Sequence, residues 1–283
     1  MLDRHIKQLK MLGVILIFTL VNGQALAGTM LKGCYDLPGI VAPSIKPSKG
    51  LYVFIDQTMG LTAPMKKAVI DLVSEWGNKG ERIQITRFSA NIKGQYSELM
   101  FDEVGNINPT EEFLFHLRKK QKKAILDCVD KRKENFQHEL QHVLTSTLTL
   151  TDDKLPKTNL LHSLYTFSEQ IVADKTITDK TVLLVSDGLE NSDVFSFHKR
   201  GKVKKINARK MLDIVRKNQL LPSWHHAKIY FFGLGYISDQ KFYLRPNISK
   251  PLITFWEHYF TEGQGVLHSN SIGVPMLLTK SIK

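Results

Sequence analysis

Three almost unbroken apolar runs divide the chain, and two of them end in a carboxylate. Leu51 to Asp56 (LYVFID), Thr181 to Asp187 (TVLLVSD) and Lys228 to Gly235 (KIYFFGLG) lack the alternation of a half-exposed strand. Each predicts a strand covered on both faces. Between them the spacing becomes helical. Val69, Leu72, Val73 and Trp76 recur at i, i+3, i+4 and i+7. Leu160, Leu161, Leu164, Ser168 and Ile171 share a face, as do Ala208, Met211, Leu212 and Val215, and Leu252, Phe255, Trp256 and Tyr259. Arg82 to Phe88 alternates as a strand, and Ser97 to Phe101 reads as a short edge strand. Val266 to His268 reads as a short strand closing the sheet. Asn108-Pro109 before Glu111 and Glu112 is a helix start, and a helical pattern, broken or continuous, runs from there to about Thr147. Strands alternating with helices predict an α/β fold: a doubly wound, mostly parallel central sheet flanked by helices, with a long helical insertion.

The first residues stand outside this pattern. Arg4, Lys7 and Lys10 precede an apolar run from Met11 to Val21, and Ala25-Leu26-Ala27 is a small-x-small cleavage site. The run is short for a bilayer span, so residues 1–27 read as a secretory signal peptide and the mature chain as exported, periplasmic or secreted. Residues 28–48, rich in Pro, Gly, Ser and Lys, read as an N-terminal arm. The domain is expected over 49–270, with its insertion at about 103–156 and a tail at 271–283.

Charge changes the picture of the partner. The chain carries +12, and loss of Asp3, Arg4, Lys7 and Lys10 with the leader leaves +10. For an exported chain this points to acidic proteins or an anionic envelope surface. Two runs concentrate the charge: Arg118 to Lys123, and Lys199 to Lys210. Aromatic residues are sparse in both, so no nucleic-acid partner is expected. Cys34 and Cys128 are the only cysteines, and an even count in an exported chain predicts a disulfide between them.

The candidate chemistry lies where the apolar runs stop. If the strands ending in Asp56 and Asp187 are neighbours where the strand order reverses, both carboxylates face one crevice. Thr58 can turn its hydroxyl to the same side, and Thr158 precedes a helix from which its hydroxyl can reach. Two carboxylates with two hydroxyls form a hard oxygen site that suits Mg²⁺ or Mn²⁺. At these residues the chain resembles the von Willebrand factor type A (vWA) family, a Rossmann-like doubly wound fold. YVFIDQTMG resembles the family's first strand with its D-x-S/T-x-S motif, KTNLLHSL the segment carrying a separate threonine, and TVLLVSDGLENS the strand and D-G turn with the last aspartate. The resemblance covers roughly Lys49 to His268. It implies a metal-ion-dependent adhesion site, with Asp56, Thr58, Thr158 and Asp187 as metal residues and a protein partner presenting an acidic residue. Gly60 stands where the family has its second serine. The function expected is a non-enzymatic, exported protein-interaction module. A metal-free structural component of an envelope, secretion or conjugation assembly is the alternative without the cation.

A different chemistry is written in His138-Glu139-Leu140-Gln141-His142, an H-E-x-x-H spacing that binds zinc in metallohydrolases when both histidines face a cleft. Here the helical phase is adverse. With Phe136 at 0°, Ile125, Val129, Leu140 and Val143 fall within about 40°, whereas His138 lies near about 200° and His142 near about 240°. The motif is expected on a solvated face. Glu169 is the formal third ligand for this alternative zinc site.

Overall fold

The computed structural model describes residues 34–35, 37–41, 47–77, 81–89, 97–105, 108–149, 159–273 and 282. The leader, part of the arm, the segment holding Thr158 and most of the tail lie outside the described residues.

A six-stranded sheet forms the middle layer. Its strands are β1 (Lys49–Asp56), β2 (Arg82–Phe88), β3 (Ser97–Val104), β4 (Asp179–Val185), β7 (Lys228–Phe232) and β10 (Val266–Leu267). Across the sheet the order is β10-β7-β4-β1-β2-β3. Every neighbouring pair is parallel except β2 with β3, which runs antiparallel along the edge. The helices are α1 (Ala63–Gly77), α2 (Glu111–Phe115), α3 (Lys119–Thr149), α4 (Leu160–Ala173), α5 (Ala208–Lys217) and α6 (Pro246–Glu262). The doubly wound α/β fold expected from the pattern is therefore present. Two short hairpins were not foreseen: β5 (His198–Lys199) with β6 (Lys202–Val203), and β8 (Tyr236–Ile237) with β9 (Phe242–Tyr243).

Both faces of the central strands are covered, which is why their sequences are unbroken apolar runs. On β1, Tyr52 and Phe54 point into a core shared with α4, α5 and α6, including Leu161, Leu164, Val215, Phe255 and Trp256. Leu51, Val53 and Ile55 point the other way, against α1 and the second half of α3, including Val69, Trp76, Phe136, Leu140 and Leu144. The predicted helix faces match this division: Val69, Leu72, Val73 and Trp76 are all buried, as are Leu252, Phe255, Trp256 and Tyr259. Packing also extends past residue 270. The Phe231 N–H donates to the Ser271 carbonyl at 2.8 Å, and Ile282 is buried within the core cluster on the α1 and α3 side of the sheet.

The insertion is two helices, with a break at His116–Arg118 between α2 and α3. The first half of α3 serves a separate small cluster in which Cys34, Tyr35, Ile125 and Val129 are buried, with Leu37, Ile40, Phe113 and Leu117 against them. The Cys34–Cys128 disulfide ties this cluster together across 94 positions of sequence.

Strand order places the crevice. From β1 the chain moves through α1 to β2 on one side. After β3 it crosses back through α3 and α4 to β4 on the other side, then outward to β7 and β10. The order reverses between β1 and β4, where doubly wound sheets open a crevice beyond the strand carboxyl ends.

Candidate functional site

Register brings the two carboxylates to this reversal point. Ile55 is level with Val185 across the β1–β4 pair, so Asp56 and Ser186 are the next residues on adjacent strands. Asp56 continues the side of Tyr52 and Phe54, and Ser186 the side of Val182 and Leu184. The Ser186 hydroxyl donates to Asp56 Oδ2 at 2.7 Å. Asp56 Oδ1 accepts from both the backbone N–H and the hydroxyl of Thr58, at 2.9 and 2.6 Å. This is the local turn that an aspartate two residues before a hydroxyl residue favours.

The β4 end turns sharply. The Leu189 N–H donates to Asp187 Oδ1 at 2.8 Å, and the Gly188 N–H to the Ser186 hydroxyl at 3.1 Å. Gly188 has φ of +70°, and a Cβ there would stand 2.4 Å from Leu234 Cδ1 and 2.8 Å from Trp256 Nε1. Only glycine meets both the left-handed backbone and the close approach. The Trp256 indole N–H donates to the Gly188 carbonyl at 3.0 Å and locks the turn. The Gly235 N–H donates to the Asp187 carbonyl at 2.8 Å, so the β7 end is tied in as well.

Two further side chains belong to this region and carried no signal in the sequence reading. Glu190 is fully buried, and its Oε2 accepts from the Leu161 N–H at 2.9 Å, capping α4 next to Asn159. Ser238, in the turn between β8 and β9, accepts from the Gly60 N–H at 3.0 Å. A Cβ on Gly60 would lie 3.5 Å from Ser238 Cβ, so a hydroxyl carried by a distant loop stands beside the position that lacks one.

The electrostatics of the crevice are one-sided. Among the described residues, none of Asp56, Asp187 and Glu190 forms an ion pair with a lysine or arginine. Burial pushes the Asp56 carboxyl up, against the hydrogen bonds from Thr58 and Ser186. Burial and then the neighbouring Asp56 push Asp187 up to about 8. Glu190 is pushed up to about 7, first by burial and in smaller part by Asp56, against its hydrogen bonds with the Ser192 hydroxyl and the start of α4. Asp56 and Glu190 are buried and Asp187 is half-buried, and like charges in such a place with no ion-pair partner among the described residues favour either protonation or a bound cation. Hydroxyls and carboxylates are the hard donors that Mg²⁺ and Mn²⁺ take. Among the described residues no group of three or more His, Cys, Asp and Glu side chains converges as a metal cluster. A cation here would complete its shell with hydroxyl and water oxygens.

The structure thus brings Asp56, Thr58 and Asp187 to one crevice, while Thr158 lies outside the described residues, directly before the N-cap Asn159. His138, Glu139 and His142 are all exposed on α3, as their phase predicts. Glu169 is exposed on α4, and α3 and α4 lie on opposite faces of the sheet, so Glu169 is not a third ligand for the histidine pair. The predicted disulfide is present. Among the described residues no helix is long and apolar enough to cross a membrane.

Comparison of the sequence with protein-family models and with curated proteins gives no match. Among solved structures the chain is similar to the pilus adhesin SpaC from Lactobacillus rhamnosus GG. In its open conformation that protein is 13% identical, with a TM-score of 0.35 over 75% of this chain and 27% of the adhesin. A second form of SpaC is 11% identical, with a TM-score of 0.39 over 81% of this chain and 29% of that one. The present chain thus spans less than a third of the adhesin's length.

Proposed function

We propose that this chain is a vWA-like protein-interaction module that docks an acidic partner residue at the carboxyl ends of β1 and β4 through a divalent cation. The observation that carries the reading is the pair Asp56 and Asp187, brought together at the strand-order reversal with neither ion-paired to a lysine or arginine among the described residues. Asp56, Asp187 and the hydroxyls of Thr58 and Ser186 would hold the cation, with Thr158 as the further donor the resemblance implies. Bound Mg²⁺ or Mn²⁺ would supply the missing positive charge and a position open to a partner's carboxylate. The protein's own part is to hold two carboxylates in place through a rigid turn at Gly188 and a hydroxyl network around Asp56. The activity proposed is binding, without catalysis. The Cys34–Cys128 disulfide supports an exported chain, in the periplasm or secreted.

One observation favours a second reading. Both oxygens of Asp56 are already satisfied by Thr58 and Ser186, as they would be in a metal-free scaffold of an envelope assembly. Thermal melting with Mg²⁺, Mn²⁺ or EDTA, on wild type and Asp56→Ala, separates the two. The cation reading expects a metal-dependent rise in Tm confined to the wild type. Equal curves in all conditions leave the scaffold.

A further inference from the structure

The segment that leaves the crevice after Asp187 builds a second feature beside it. From Val194 to Leu212 the chain holds seven lysines and arginines and no aspartate or glutamate. These residues form the β5–β6 hairpin and the first turn of α5. The hairpin turns through Arg200 (φ 53°) and Gly201 (φ 74°), the left-handed pair of a tight two-residue loop. Lys199, Arg200, Lys202, Lys205, Arg209 and Lys210 are exposed. No carboxylate among the described residues pairs with any of them.

Anchoring is firm, so the charges are displayed on a fixed shape. Phe197 is fully buried against Phe255, with ring centroids 5.4 Å apart. Its N–H donates to the Glu190 carbonyl at 2.8 Å, and the Lys204 N–H donates to the Phe197 carbonyl at 2.9 Å. Glu190 is three residues past Asp187 and caps α4, so the hairpin rises from the crevice rim. The first turn of α5 starts at the same end of the sheet, because α5 runs back to enter β7.

We propose that the Lys199–Lys210 hairpin and helix start form a docking lip for an acidic peptide segment of the partner, continuous with the crevice at Asp56 and Asp187. The proposal deepens the reading of the crevice as the docking face and rests on it. The chemistry selects the occupant. Uncompensated cations on a rigid lip fit a run of glutamates and aspartates, which adds several weak ion pairs to the single carboxylate the crevice takes. A bilayer fits poorly, because the hairpin's apolar side chains Phe195, Phe197 and Val203 pack inward and leave nothing to insert. Nucleic acid fits poorly because no aromatic face is displayed for stacking.

The test uses the full mature chain and a short fluorescent peptide of alternating glutamate and glycine, read by anisotropy at low salt. Three proteins are compared: wild type, a lip variant (Lys199→Gln, Arg200→Gln, Lys202→Gln, Lys205→Gln), and a control losing equal charge at and just before the start of α3 (Arg118→Gln, Lys119→Gln, Lys120→Gln, Lys123→Gln). The lip variant is expected to bind about tenfold to thirtyfold more weakly and the control within about twofold of wild type. Equal loss in both variants, or none in the lip variant, overturns the lip. Preferential binding of phosphatidylglycerol vesicles or a single-stranded oligonucleotide over the peptide overturns the peptide assignment. Melting curves matching wild type confirm that the variants fold. Repeating the titration with Mg²⁺ and with EDTA keeps the two ideas apart. Lip dependence that is indifferent to EDTA sinks the cation reading alone. Sensitivity to EDTA without lip dependence sinks the lip alone.

Discussion

Glu190→Gln removes one charge from the crevice wall while keeping the cap on α4. In the folded chain Glu190 is fully buried and its carboxyl is pushed from 4.5 up to about 7. The cause is mainly desolvation, partly offset by the Ser192 hydroxyl and the N–H groups at the start of α4. A raised carboxyl stabilises the fold fully below its unfolded pKa near 4.5, and that contribution is lost as pH rises through about 7. A shift of this size corresponds to about 3 kcal/mol. Glutamine can still accept from the Leu161 N–H through its side-chain oxygen and carries no charge to ionise. The two proteins should therefore unfold alike at pH 4. At pH 8 the variant should be the more stable by up to about 3 kcal/mol, or about 6–10 °C in Tm for a chain of this size. Urea denaturation followed by tryptophan fluorescence in EDTA, at both pH values, measures the difference. Asp56 and Asp187 titrate in both proteins, and only the coupling of Asp56 to Glu190, a smaller part of the shift, enters the difference. Parallel pH dependence in wild type and variant, or a variant weaker at pH 8, would refute the reasoning.

Asp187→Asn should respond to metal and pH in opposite senses. In EDTA above about pH 8, where Asp187 ionises beside Asp56, the variant should gain about 1–3 kcal/mol over wild type; in saturating Mg²⁺ it should lose that advantage. A loss of stability in both conditions, seen by melting, would contradict an uncompensated pair. Cys128→Ser should release the small cluster around Tyr35, Ile125 and Val129, costing about 2–4 kcal/mol. Limited proteolysis should then cut near residues 34–41 while sparing the sheet, and an unchanged digestion pattern would show that packing alone holds the arm.

The central strands were legible because burial on both faces leaves an unbroken apolar run, and a carboxylate closing such a run stands out at once. Asp56 and Asp187 were readable for that reason. The phase of His138 and His142 was readable because α3 is long and its apolar positions from Ile125 to Leu144 keep one phase, despite the interruption at Arg132-Lys133. What the strand pairing decides was hidden. Ser186 bonds Asp56 only because β1 and β4 are neighbours in a particular register. Ser238 meets Gly60 across 178 positions. The β5–β6 and β8–β9 hairpins have two-residue strands, too short for any periodicity to show. Nothing adjacent to Glu190 in the sequence marks it as buried; its burial follows from its place under the start of α4.

The central claim is that Asp56 and Asp187 hold a divalent cation. Calorimetric titration of Mn²⁺ into metal-stripped wild type and Asp56→Ala tests it most directly. The account predicts a single saturable site in the wild type, displaced by Mg²⁺ and at least about tenfold weaker in the variant. No saturable heat in the wild type, or the same affinity in both proteins, would contradict it.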